Sequence, residues 1–183
     1  IRGANKRLSS ASNAAEATVT DELMSFDSNG YTLGSSGNTN DTSPSNASYV
    51  GWSWRGSDSS AASNSDGSIT STVSANTTAG FSIVKYTGNG VSGATVGHGL
   101  GAAPKIVLIK KTSSADSWSM LNTNINLNYY LKLEGSDAQV NDALFNNTAP
   151  STTVFTIDSD GQVNGNTNEF IAYCFAEKTG YSK

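Results

Sequence analysis

Gly80-Phe-Ser-Ile-Val-Lys-Tyr-Thr-Gly-Asn-Gly90 and Pro104-Lys-Ile-Val-Leu-Ile-Lys-Lys111 decide the fold. In the first, Phe81, Ile83 and Lys85 alternate with Ser82, Val84 and Tyr86, the period of a strand with two different faces. Thr87-Gly-Asn-Gly90 stops it, because Gly and Asn accept the positive φ of tight turns. In the second, a short β-branched run between lysines reads as a buried strand. Pro104 suits a strand's first residue, where no ladder donor is needed. Between them, in Gly97-His-Gly-Leu-Gly101, stands the only histidine, His98, so any general-base chemistry of the usual kind would centre there.

Outward from this stretch the same signals recur. Residues 68–75 place Ile69, Ser71, Val73 and Ala75 on one face. Ser117-Trp-Ser-Met-Leu121, residues 129–133, 153–158 and 169–176 read as further strands. Residues 137–145 read as a short helix or loop, and 16–24 as a single helical turn. The region of Leu8 reads as a strand or extended arm, 30–34 as a hairpin arm and 34–47 as a polar loop. Residues 49–55 read as a strand alternating Tyr49, Gly51 and Ser53 against Val50, Trp52 and Trp54. Many short strands, Gly/Asn/Asp turns and no long helical period give an all-β fold, an antiparallel, jelly-roll-like sandwich.

The chain also repeats itself. Met24-Ser-Phe-Asp-Ser-Asn-Gly30 parallels Phe155-Thr-Ile-Asp-Ser-Asp-Gly161, and Tyr49-Val-Gly-Trp-Ser-Trp54 parallels Phe170-Ile-Ala-Tyr-Cys-Phe175, in the same order. The second copy has a front half, residues 80–121, that the first lacks. The expected organisation is therefore the C-terminal half of a β-module at 1–56, a Ser/Ala/Asp linker at 57–67 and a complete module at 68–183. Ile1 then enters the first module after its opening strands, and another subunit or the rest of a longer polypeptide is expected to supply them.

Composition narrows function. The 183 residues carry a net charge of −4, from 11 Lys and Arg against 15 Asp and Glu. The small cluster Arg2, Lys6 and Arg7 reads as solvated surface, so no footprint for nucleic acid is expected. No apolar run nears the roughly 18 residues of a membrane-spanning helix, so no membrane insertion is expected. One cysteine, Cys174, excludes an internal disulfide and, in a strand, reads as a packed thiol.

Candidate chemistry is sparse. No Gly-x-Ser-x-Gly elbow surrounds a serine, and His98 reads first as a turn residue. Asp27, Asp158 and Asp160 precede Gly and read as turn caps; a calcium loop would need more oxygen ligands. No catalytic residue, cofactor or metal is expected. Trp52, Trp54 and Trp118, with His98, are the candidate ligand or interface contacts: the tryptophans for stacking on sugar or for burial in a core or interface. Four glycosylation-type triplets, at Asn40, Asn46, Asn76 and Asn146, are expected by chance in so Asn-, Ser- and Thr-rich a chain. The loops 34–47 and 146–153 are candidate contact surfaces.

Residues 80–90, Gly97-His-Gly-Leu-Gly101, Pro104-Lys-Ile-Val, Phe155-Thr-Ile and Phe170-Ile-Ala-Tyr-Cys-Phe-Ala-Glu-Lys-Thr-Gly-Tyr-Ser182 resemble a repeated β-domain of large structural proteins in tailed phages, marine and cyanobacterial phages among them. Residues 2–54 look like the back half of a preceding module of that kind. The resemblance implies a non-enzymatic virion protein of a tail fibre, appendage or capsid fibre, at the particle surface. It implies assembly with other virion subunits, homo-oligomerisation and contact with the host surface, including its glycans. The other readings are a carbohydrate-binding sandwich module using exposed aromatics, and a depolymerase.

Overall fold

The computed structural model describes residues 1–36, 38–41, 47–57 and 59–180. The expected all-β fold is present, and the described chain divides into two compact units. The smaller holds residues 2–8 and 16–54; the larger holds 9–15 and 55–183.

In the smaller unit, β1 (Lys6–Arg7) pairs with β2 (Ala17–Thr18), and β3 (Leu23–Asp27) with β4 (Gly30–Leu33), both antiparallel. The helical turn expected at 16–24 is absent, because those residues go to β2 and β3. Polar tethers hold the unit. Arg2 Nε meets Glu16 Oε2 at 2.7 Å, Arg7 pairs with the buried Glu22, and Asn38 Nδ2 donates to Glu22 Oε1 at 2.9 Å. No described residue of this unit belongs to the chain's hydrophobic core.

The larger unit is built on β5 (Ala62–Asn64), β6 (Ser71–Asn76), β7 (Phe81–Thr87), β8 (Ala94–Gly97), β9 (Pro104–Lys111), β10 (Ser119–Asn122), β11 (Tyr129–Lys132), β12 (Val140–Asn141), β13 (Val154–Ile157), the short α1 (Gly161–Asn164) and β14 (Glu169–Ala176). Eight strands form one antiparallel sheet in the order β12-β11-β10-β9-β14-β7-β6-β5, and β13 pairs with β8 in a second layer. The sandwich is thus unequal, eight strands against two. β5 lies inside the stretch 57–67 expected as a linker, so that stretch is in part an edge strand.

The alternation read in β7 holds. Val84 and Tyr86 point into the core with Val107 and Ile109 of β9, Leu121, Tyr130, and Phe170, Ala172 and Cys174 of β14. Val96, Phe155 and Ile157 of the small sheet, with Leu144, Phe145 and Val163, close that core from the other side. On the opposite face Ile83, Tyr173, Leu108, Met120 and Leu131 stand opposite one another across five strands, all half-buried.

Residues 49–55 carry no strand, contrary to the expectation from their alternation. Alternation fits side chains to two faces, but a strand exists only where neighbouring backbone pairs with it.

Truncating Phe155, which is fully buried, is expected to cost about 3–5 kcal/mol. Phe26→Ala, at an exposed site, should stay within about 0.5 kcal/mol of the parent. Urea unfolding of the two variants measures both.

Candidate functional site

The Gly-His-Gly-Leu-Gly stretch is a structural junction. His98 is fully buried; its Nδ1 accepts from the N–H of Leu100 at 3.3 Å, so Nε2 carries the proton and donates to the Ser151 carbonyl at 3.2 Å. Its backbone N–H donates to the Thr153 carbonyl, and Ser71 Oγ donates to the Gly97 carbonyl. Gly99 sits at φ +68, which a side chain adopts only with strain, and a Cβ on Gly97 would lie 1.7 Å from Asn64 Oδ1. Burial lowers the His98 pKa below its usual value, opposed by its bond to Ser151 and by Asp66. The ring bridges residues 98–100 to the 151–153 turn, Ser71 of β6 joins them through the Gly97 carbonyl, and both ring nitrogens are used. It is available for no general-base step in this arrangement.

The other chemical candidates also hold structure. Cys174 is buried, and burial pushes its thiol up to about 12, away from the reactive thiolate. Asp158 is held below its usual pKa by the Ser92 hydroxyl and then by the N–H of Ser159. Asp160 caps α1, accepting from Gln162 N at 2.7 Å. Asp27 accepts from Ser25 and Thr32 beside the β3–β4 turn. The repeated Asp-Ser-Asn/Asp-Gly motif therefore turns a hairpin in one place and starts a helix in the other. No group of three His, Cys, Asp or Glu that could hold a metal occurs among the described residues.

One buried charge escaped the sequence reading. Lys110, which flanks the apolar run of β9, is fully buried; its Nζ donates to the carbonyls of Asn13 (3.3 Å) and Lys111 (2.8 Å). Burial lowers its pKa, against the pull of Asp116 and Glu134. Lys111 Nζ lies 2.5 Å from Asp116 Oδ2. Together they fasten residues 9–15 and the 112–118 turn to the sheet. Lysine flanking an apolar run carries no sequence signal that separates this role from solvation.

The tryptophans separate. Trp118 is buried, its Nε1 donating to the Ser9 carbonyl at 2.8 Å and its ring 6.3 Å from Tyr173. It leaves the list of surface contacts. Trp52 is 77% exposed, Trp54 51% and Val50 81%. The two indoles stack at 6.4 Å with 21° between planes, as neighbours two apart on one side of an extended chain would. Tyr49 is exposed on the other side of the alternation. The strip continues through Tyr31, whose hydroxyl lies where a Cβ on Gly51 would be, and which pairs in register with the exposed Phe26. Met24 is exposed as well. Seven of the ten exposed large apolar side chains among the described residues thus belong to the smaller unit. Apolar surface concentrated in this way is unusual on the exterior of a fold. Covering the two indoles and Val50 alone would release on the order of 5–10 kcal/mol of hydrophobic free energy, before the costs of association.

Of the candidate loops, 34–47 lies partly outside the described residues, as do the Asn46 triplet and the last three residues of the chain. In 146–153, Asn146 and Asn147 take positive φ, and Ser151 is committed to His98.

Two outcomes follow. His98 charges more readily when unfolded, so its contribution to stability is whole above about pH 6.5 and is lost as pH falls through its lower folded pKa. Urea midpoints should fall from about pH 7.5 to about 5.5, and His98→Gln should flatten that slope. Acrylamide should quench most of the tryptophan emission, leaving in the Trp52→Phe/Trp54→Phe variant a blue-shifted, protected signal from Trp118.

No curated protein and no solved structure matches the chain. A family model does, over residues 1–183, and the chain belongs to that family, described as a domain of unknown function (DUF7483).

Proposed function

We propose that this protein is a non-enzymatic assembly and attachment module of a phage virion, part of a tail fibre, appendage or capsid fibre, acting at the particle surface through its smaller unit. The observation that carries the reading is the aromatic strip at 49–54, with Phe26 and Tyr31 beside it. An interface residue is exposed until its partner arrives, and aromatic rings supply the largest burial per residue. The resemblance of residues 80–182 to modules of phage structural proteins supports the virion setting. The engagement of His98, Cys174 and the turn aspartates in structural bonds supports a role without catalysis.

A second reading keeps the same residues for host glycans. Trp52 and Trp54 are exposed and nearly parallel, a platform on which a sugar ring could stack.

Mass spectrometry of gradient-purified virions tests the first reading. Peptides of this chain should band with the major structural proteins of the particle; confinement to the soluble fraction of infected cells would overturn it. Trp52→Asp/Trp54→Asp should reduce incorporation while leaving the melting temperature of the free chain unchanged. A glycan array separates the second reading: Trp52-dependent binding of an oligosaccharide supports it, and a blank array removes it.

A further inference from the structure

The smaller unit's apolar surface has the size of a protein contact. Phe26 and Tyr31 stand opposite each other on one face of the β3–β4 hairpin, and Met24 is exposed at the bulge beside them. The backbone at Gly51 lies against the Tyr31 hydroxyl, so Val50, Trp52 and Trp54 run on from the hairpin. These six side chains are between 43% and 81% exposed. With about 150–250 Å² for a large aromatic side chain, they present on the order of 700 Å² together. Each partner in a stable interface of standard size gives up about 800 Å². A sugar also needs donors and acceptors around the stacked ring, and Met24, Phe26 and Val50 supply none from their side chains.

Charge narrows the partner. Residues 23–33 and 49–54 contain one charged side chain, Asp27. It follows Phe26 in the strand and so points to the other face, where Ser25 and Thr32 donate to its carboxylate. The apolar face of the hairpin and the 49–54 strip are therefore without charge. About a twofold axis a patch meets its own copy, so a charged patch repels itself. This one has no charge to repel with, and none by which to select an acidic or a basic partner.

The unit also lacks a second layer. β3 and β4 form a sheet of two strands. Two strands are marginal in water until another layer covers their apolar face. A second hairpin of the same kind, laid face to face, is a layer of matching size and polarity, and the same contact covers both.

We infer that the partner is a second copy of this chain: two smaller units pack face to face about a twofold axis, the hairpin face and 49–54 strip of each covering those of the other. Phe26 and Trp52, the most exposed of the rings, bury the most surface. This deepens the assembly reading and rests on its assignment of the surface to a protein contact.

Sedimentation velocity of the full chain is the test. The expected result is a boundary that moves from the mass of one chain below about 1 μM to that of two at about 100 μM, the range that brackets a micromolar Kd. Over the same range the share of tryptophan emission open to acrylamide should fall, as Trp52 and Trp54 are covered. Unfolding of the dilute, separated chain leaves Phe26→Ala neutral, whereas the same substitution should weaken pairing at least about tenfold. Trp52→Asp/Trp54→Asp should stay monomeric throughout, with the melting temperature of the dilute parent. A parent chain still monomeric at about 100 μM overturns the inference. So does a dimer that forms equally well in both variants, because it pairs through another surface. A monomer that instead co-sediments with a different purified virion protein, and loses it in Trp52→Asp/Trp54→Asp, overturns self-pairing and leaves the assembly reading standing. A Trp52-dependent dimer of a chain that is absent from purified virions upholds self-pairing and overturns the virion setting.

Discussion

The large sheet depends on one late arrival. β7 and β9 are separated in the sheet by β14, the last strand of the chain, which pairs with both. Without it the sheet would fall into β12-β11-β10-β9 on one side and β7-β6-β5 on the other. Phe81 and Phe175, nearly a hundred residues apart in sequence, pack at 5.0 Å on the outer face of that seam. On the inner face Tyr86 stacks on Phe170 at 5.2 Å and donates from its hydroxyl to the Val163 carbonyl at 2.7 Å. Closing so long a loop costs entropy before the contacts repay it, so the small inner residues Ala172 and Cys174 matter. They let the strand enter between Val84 on one side and Val107 and Ile109 on the other.

A protein poor in charge has to order its turns by other means. Asn164 does this from a fully buried position: its Oδ1 accepts from Asn89 N, and its Nδ2 donates to the Val91 carbonyl. His98 does the same beside the end of the β8–β13 pair. Each neutral side chain satisfies buried backbone groups that would otherwise cost about 1–3 kcal/mol apiece. The Asn-, Ser- and Gly-rich composition thus serves the interior of turns as well as the surface. The few buried ionic groups among the described residues, Glu22, Lys110 and Lys111, are tied to named partners.

The two units manage exposed apolar surface differently. The larger ends its sheet in strands of two and three residues, which offer little template for edge-on pairing. Among the described residues, the smaller contributes none to the hydrophobic core and displays most of the exposed aromatic and aliphatic side chains.

Sequence alone determined the all-β class, the strands β6, β7, β9, β10, β11, β13 and β14, and the shared face of Ser82, Val84 and Tyr86, though not that this face is the inner one. Alternation and turn chemistry are local, so they can be read without knowing the neighbours. It also singled out residues 49–54 through their likeness to 170–175. Tertiary structure decided the rest. One alternating segment became the centre of a sheet and the other did not form a strand, because pairing depends on which backbone lies alongside. Trp118 went inside while Trp52 and Trp54 stayed out, although nothing about an indole in a strand pattern tells them apart. Lys110 was buried because carbonyls of Asn13 and Lys111 converge on its ammonium, an arrangement that brings together residues 97 positions apart. The repeated Asp-Ser-Asn/Asp-Gly motif became a hairpin or a helix cap according to what followed it. Local rules name the segments; only three-dimensional neighbours assign them partners.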